Sequence, residues 1–402
     1  MVKNILMIGW EYPPFNSGGL GVACQGLADS ISATGVNIVF CLPQKIDNTK
    51  KKKGIFFDFL DCTICQKKNK DFLHTYSYST DSSKKGLNKH HKTGGTLVEL
   101  VKLYANQVLE NTKNYNFDII HAHDWLTVPA ALALREKSKK PLVLHIHATE
   151  FDRAGGMYSL NSEIANIERE GLIYADKVIA VSHYTKEKII NLYGISPQKI
   201  EVVHNGIISD DGGFFLDCNE GFFKNKKVVL FVGRLTIQKG VDWFLKAAKE
   251  VIKANKDTVF LIVGDGDYKG KAIELANDLG ISDKIVFTGF LRDNELKKAY
   301  GLANVFVLPS VSEPFGITAL EAVKSGLPVI LSNNSGAREI IKGSIGVDFW
   351  NTKDMAEKIT AVLSYPKLRD KLIEDSKKDL GFATWGRAAN EIIKIYNNLT
   401  NG

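Results

Sequence analysis

The chain has 402 residues, more than a single core comfortably serves and about the size of two ordinary domains. With 44% hydrophobic and 24% charged residues it is globular, not disordered. Fifty-two basic against 45 acidic residues leave +7, much of it in short Lys clusters such as 50–53. That balance does not call for nucleic acid, and it would suit a phosphorylated substrate or an anionic membrane surface equally well.

The first residues, "MVKNILMIGW", lack the basic segment, long apolar stretch and cleavage site of a secretory leader. No apolar run is long enough to cross a bilayer, so a cytoplasmic location is expected. "NILMIG" reads as a strand, residues 20–33 as an amphipathic helix and "NIVFCLP" as a second strand. Residues 45–95 break the pattern. They are rich in Lys, Ser and Asn and read as an irregular insertion, with "GIFFDFLDC" and "FLHTYSYS" as extra strands. Cys62 and Cys65 within it form a lone C-x-x-C; with Cys24, Cys41 and Cys218 they read as reduced thiols, not as a zinc site.

Alternation resumes with "FDIIHAH", "PLVLHIHA", "KVIAVS" and "IEVVHNG". It lapses after "HNGI" and restarts with "KVVLFVGR", "TVFLIVGDG", "KIVFTGF", "NVFVLPS" and "LPVILS". Short apolar runs separated by helical patterns are the mark of parallel strands with crossover helices. The expected architecture is therefore α/β, with two Rossmann-like doubly wound domains over residues 1–205 and 206–384. Residues 385–402 form an amphipathic helix that could cap either domain. Ligands of such a pair are expected in a cleft faced by the carboxyl ends of both sheets, with a hinge near Asn205 and Gly206.

Five stretches carry chemistry. In "GWEYPPFNSGGLG", Gly18 and Gly19 let the backbone approach a ligand at a helix start, where free N–H groups favour an anion. The spacing is not G-x-G-x-x-G, which disfavours a dinucleotide. In "VGRLTIQKG", Arg234 and Lys239 offer the planar fork and the point cation that a diphosphate needs. Alone, either stretch would read as an ordinary turn.

"SEPFGITALE" places Pro314 in the first turn of a helix, with Glu313 at its mouth beside the N–H groups of Phe315 and Gly316. Glu321 then lies about 10 Å further along, on roughly the same face. One acid could grip a sugar's hydroxyls and the other a ribose. The same pair could instead be the acid and base of a glycosidase, if both reach one bond at about 5 to 9 Å. The blander reading is a dipole-favoured carboxylate followed by a surface acid.

"HAHDWLT" and "HIHATEFDR" set His121, His123, His145 and His147 in pairs two residues apart. Each pair is expected to straddle a strand end, with no cysteine or third ligand at hand, so no metal is expected. His147 alone reads as a donor to a sugar hydroxyl or a developing charge.

Taken together and in this order, "EYPPFNSGGLG", "HAHDWLT", "HIHATEFDR", "VGRLTIQKG", "VGDGD" and "SEPFGITALEA" resemble the retaining glycosyltransferases of family four and their glycogen and starch synthase relatives. The resemblance spans nearly the whole chain, and Glu313-x7-Glu321 is its most specific element. It implies the two-domain fold called GT-B, with the C-terminal helix returning to the first domain. It also implies transfer of a sugar, glucose foremost, from a UDP- or ADP-sugar to an acceptor hydroxyl such as that of an α-glucan.

By the same resemblance the Gly19 backbone meets the diphosphate, and Arg234 and Lys239 bind its phosphates. Glu313 holds the donor sugar with Phe315 and Gly316, Glu321 binds the ribose, and His147 lies near the reaction centre. No cofactor or metal is implied. Residues 45–95 depart from the family's compact pattern. A nucleotide-sugar epimerase or hydrolase on the same scaffold would form product without an acceptor. A non-catalytic sensor would bind donor without turnover.

Overall fold

A computed structural model of the chain describes residues 1–14, 18–43, 54–59, 97–155, 160–207 and 223–400. "FLHTYSYS" and Cys62, Cys65 and Cys218 lie outside the described residues. The chain divides into two compact units: Met1–Gly206 together with Trp385–Gly402, and Ile207–Thr384.

The first unit opens with β1 (Asn4–Ile8), α1 (Gly19–Ser32), β2 (Asn37–Leu42) and β3 (Ile55–Phe59). It continues with α2 (Leu97–Asn111), β4 (Ile119–His123), α3 (Val128–Ser138) and β5 (Leu142–Ile146). The short α4 (Glu150–Arg153), α5 (Ser162–Tyr174), β6 (Lys177–Ala180), α6 (His183–Tyr193) and β7 (Ile200–Val202) complete it. The seven strands pair in parallel in the order β3-β2-β1-β4-β5-β6-β7. The insertion expected over 45–95 therefore contains a true strand, β3, paired with β2 at the sheet edge.

The second unit runs β8 (Lys227–Val232), α7 (Val241–Ala254), β9 (Thr258–Val263), α8 (Lys269–Asp278), β10 (Ile285–Gly289) and α9 (Asp293–Leu302). Then come β11 (Val305–Leu308), α10 (Ile317–Lys324), β12 (Val329–Ser332), β13 (Ile345–Val347), α11 (Thr352–Ser364) and α12 (Pro366–Leu380). Its sheet is also parallel, in the order β10-β9-β8-β11-β12-β13. Every residue of β9, β11 and β12 is buried, the signature of strands covered by helices on both faces.

The last helix, α13 (Trp385–Thr400), belongs to the first unit. It packs on α1, where Gly26 leaves room for the Trp385 indole: a Cβ there would lie 2.3 Å from Trp385 Cε2. Asn397 Oδ1 accepts from the Val2 N–H at 3.0 Å, so the two ends of the chain are tied together.

Both sheets reverse their strand order once, between β1 and β4 in the first and between β8 and β11 in the second. Loops leaving the carboxyl ends of those strands diverge and open a crevice, the usual ligand position in sheets of this kind. That geometry decides which of the expected residues can act together.

Candidate functional site

In the second unit the loops after β8 and β11 are laced together. Val311 N donates to Gln238 O at 2.9 Å, and the Gln238 amide donates to Ser312 O at 3.1 Å. Gly240, at φ 68°, takes a left-handed turn so close to Pro309 that a Cβ would lie 2.1 Å from the Pro309 carbonyl oxygen. A side chain would be strained and would also collide, so the two loops can meet only at glycine. In "VGDGD", Gly264 at φ 138° does the same against Gly233, and at Gly266 a Cβ would lie 2.4 Å from Leu235 O; Asp267 lies within electrostatic reach of Arg234. Burial raises the Asp267 pKa, and the Arg234 charge pulls it back.

This lacing joins Lys239 to Glu313. Lys239 Nζ donates to Glu313 Oε2 at 2.6 Å, and Ser310 Oγ donates to the same oxygen at 3.0 Å. Glu313 is 4% exposed, so its charge is stabilised by these two donors more than by water. Its other oxygen, Oε1, has no hydrogen-bond partner among the described residues. A buried carboxylate anchored by one oxygen and open at the other is shaped to accept from a ligand's hydroxyls.

The helix expected to begin at Pro314 begins at Ile317. Gly316 is its N-cap at φ 100°, a conformation that disfavours any side chain, and a Cβ there would sit 3.2 Å from Glu313 Cγ. Residues 313–316 stay non-helical, because Glu313 spends its backbone bonds on the neighbouring loop: its N–H donates to Asn334 O, and its carbonyl accepts from Gly336 N, each at 2.9 Å. The Phe315 side chain is buried beneath.

Glu321 sits in the second turn of α10 and is half-buried. Tyr300 on α9 donates its O–H to Glu321 Oε2 at 2.9 Å. Burial raises the Glu321 pKa; the Tyr300 bond and the Lys324 charge oppose it.

In the first unit the four histidines form one array. His121 and His123 both lie within β4, His145 lies within β5 and His147 just beyond it, so the first pair does not straddle a strand end as expected. His121 Nε2 bonds His145 Nδ1 at 3.3 Å, and His123 Nδ1 bonds His147 Nε2 at 2.9 Å. The pairs stack on each other, with ring centroids 4.5 Å apart for His121 and His123 and 4.3 Å for His145 and His147. Tyr396 of α13 closes the array by bonding His121 Nδ1. Burial lowers all four pKa values, to about 3 for His121 and His147, so the array is neutral near neutral pH. His147 offers no open nitrogen in this arrangement, since Nε2 is bonded to His123 and Nδ1 is buried without a partner.

Cys24 stands closer to this array than its place in the sequence suggests. Its sulfur and one nitrogen each of His123 and His147 lie within 4.8 Å of one another, as do ligand atoms of His121, His123 and His145. Ligand types for a soft cation are therefore present. Burial raises the Cys24 pKa, so binding an ion would first have to strip its proton.

His147 is set in place by groups that the sequence gives no cause to connect. Asp124, at φ 58° just past β4, turns its carboxylate to accept from the His147 N–H at 2.6 Å and the Ala148 N–H at 3.4 Å. Burial pushes its pKa up to about 7 against the pull of Arg153. Behind it lies a buried network: Arg153 binds Glu150 and Glu168, Tyr193 binds Glu168, and Lys188 binds Asp152 at 2.6 Å. "HATEFDR" thus supplies a capping box, Thr149 with Asp152, and the anchor of the loop that carries His147. Gly18 caps α1 at φ −173°, ordinary extended backbone, and a Cβ there would meet nothing within 4 Å. Gly19 is the first residue of α1 and is exposed.

Comparison with known proteins decides the family. Residues 4–199 match the starch synthase catalytic domain, and 216–379 match the glycosyl transferases group 1 domain. An uncharacterized glycosyltransferase of Methanocaldococcus jannaschii is 31% identical over 98% of this chain and 97% of its own. The chain is a family four glycosyltransferase of the glycogen and starch synthase type. The glycogen synthase of Mycobacterium tuberculosis is 28% identical over 98% of this transferase and 94% of its own chain. Among solved structures, the sucrose-phosphate synthase of Thermosynechococcus elongatus matches with a TM-score of 0.79 at 19% identity, covering 99% of both chains. Anabaena HepE, solved with UDP-glucose, matches at 0.71 and 15%, covering 99% of this transferase and all of HepE. These likenesses give the two-domain GT-B fold. No helix among the described residues is long and apolar enough to cross a membrane.

Proposed function

We propose that this glycosyltransferase moves a glucosyl residue from UDP- or ADP-glucose to an acceptor hydroxyl, that of an α-glucan foremost, with retention at the anomeric carbon and without a metal. The observation that carries the reading is the Lys239–Glu313–Ser310 cluster on the loops that flank the β8–β11 switch point. A cation and a half-anchored carboxylate side by side suit a sugar diphosphate: the cation meets the phosphate, the open carboxylate oxygen meets the sugar.

In this reading Arg234 and Lys239 take the two phosphates and stabilise the charge that grows on the leaving oxygen as the glycosidic bond breaks. Glu313 accepts from hydroxyls of the donor sugar through Oε1, with Gly316 and Phe315 shaping the approach. Glu321 accepts from the ribose. The Gly18–Gly19 backbone, where no neighbour among the described residues would lie within 4 Å of a Gly18 Cβ, lets a phosphate approach the start of α1. His147 contributes as a neutral group whose backbone is fixed by Asp124. The acceptor hydroxyl attacks on the face from which the nucleoside diphosphate leaves, and its proton passes to the departing phosphate oxygen.

The test is to incubate the pure protein with UDP-, ADP- and GDP-sugars and a panel of glucan and small hydroxyl acceptors, then read products by mass spectrometry and their anomeric configuration by NMR. An α-linked glucoside formed only when acceptor is present, in EDTA as well as without it, supports the reading. An inverted product, or activity lost in EDTA and restored by one metal, contradicts it.

A further inference from the structure

The second acid of the Glu313-x7-Glu321 element is held by a residue that lies outside it. Glu321 Oε2 accepts from Tyr300 at 2.9 Å, while Oε1 has no hydrogen-bond partner among the described residues. We propose that Tyr300 is a positioning residue for recognition of the donor's ribose: its O–H clamps Oε2 of Glu321, so that Oε1 stays aimed at a ribose hydroxyl. This rests on the reading of Glu321 as the ribose ligand.

Four observations support the role. Tyr300 is 3% exposed and comes from α9, a different element, so it restrains the Glu321 side chain from outside its own helix. Its single proton can go to Glu321 Oε2 or to Thr318 O at 3.2 Å; the shorter contact is to the carboxylate, the stronger acceptor. Burial raises the phenol pKa well above its ordinary value, so the group stays an O–H donor. The arrangement repeats that of Glu313, where Ser310 and Lys239 take Oε2 and leave Oε1. A free glutamate would sample several rotamers, and a ribose would have to order it on binding.

The test compares Tyr300→Phe and Glu321→Gln with the unmodified full chain by isothermal titration of UDP and ADP and their 2′-deoxy and 3′-deoxy forms. Phenylalanine keeps the ring that packs near Phe306 and removes only the O–H. The unmodified protein should bind the better ribonucleotide at least about tenfold more tightly than one of its deoxy forms, the scale of one lost hydrogen bond to a charged group. Tyr300→Phe should weaken the ribonucleotide about five- to tenfold and leave that deoxy form unchanged, so the discrimination collapses. A merely structural tyrosine would weaken both forms alike, and that result overturns the proposal. So does unmodified discrimination in Tyr300→Phe while Glu321→Gln loses it. If neither the unmodified protein nor Glu321→Gln distinguishes ribose from deoxyribose, the ribose reading itself falls and the role of Tyr300 with it.

Discussion

Both sheets reverse their strand order once, but the groups at their carboxyl ends differ in charge. At the first, the ends of β4 and β5 carry four stacked imidazoles, neutral near neutral pH and paired with one another, with the Asp124 carboxylate just past β4. At the second, the groups past β8 and β11 are a cation and a carboxylate, and the carboxylate keeps one oxygen open. The imidazole array is neutral and buried, with His123 Nε2, His145 Nε2 and His147 Nδ1 lacking partners among the described residues. A charged, half-satisfied one can exchange partners with a ligand. In the proposed reading the second unit handles the donor's charge, and the first holds neutral, buried imidazoles.

The largest way to break that contrast is to remove the cations. Arg234→Ala and Lys239→Ala should each lose roughly 2 to 4 kcal/mol of transition-state stabilisation in kcat/KM, the scale of one charge-stabilising donor. Arg234→Ala should melt close to the unmodified protein. Full activity in the double variant would end the phosphate role.

Acid should sharpen the contrast from the other side. An imidazole whose pKa is lowered on folding contributes stability that is present above about pH 6.5, its unfolded value, and lost as pH falls toward its folded value. His121 and His147 have folded values of about 3, and His123 and His145 are lowered in the same direction. Each net proton taken up on unfolding costs about 1.4 kcal/mol per pH unit. Asp124, raised to about 7, works in the opposite sense, as do Glu168 and Asp58, but the imidazoles outnumber them. Hydrogen exchange should therefore show the first unit loosening before the second between pH 6.5 and 5. NMR should show no titration step of His121 or His147 near pH 6.5.

The fold was legible from short apolar runs alternating with helical patterns, because a parallel sheet covered on both faces forces each strand to be apolar throughout. The residues proposed for the site can be named from the sequence; their contacts cannot. The start of α10 was misplaced by three residues, since Pro314 and Glu313 look like a helix start until the loop at 334–336 claims the Glu313 backbone. No motif in the sequence singles out Tyr300, and Tyr396 reads only as part of a terminal amphipathic helix. Their partners stand 21 and 275 residues away, and only the folded chain brings them together. Asp124 was visible inside "HAHDWLT", but its left-handed backbone was not.

A smaller effect should come from Ser310. Ser310→Ala leaves Lys239 on Glu313 Oε2 and removes one neutral donor, so kcat/KM for donor should fall by about 1 kcal/mol, roughly fivefold. No change would mean that Lys239 alone orients the carboxylate.

The most direct test of the second unit as the seat of charge handling is a double-mutant cycle on its ion pair, with melting temperature and kcat/KM measured on the same samples. Lys239→Met alone strands a buried carboxylate and should lower both. In Lys239→Met with Glu313→Gln no charge is left unpaired, and Ser310 still has an amide oxygen to bond. Melting temperature should then recover toward the unmodified value while kcat/KM stays at or below that of the worse single variant. Recovery of activity along with stability would show that the pair only holds the loops together, and would contradict its placement on the donor.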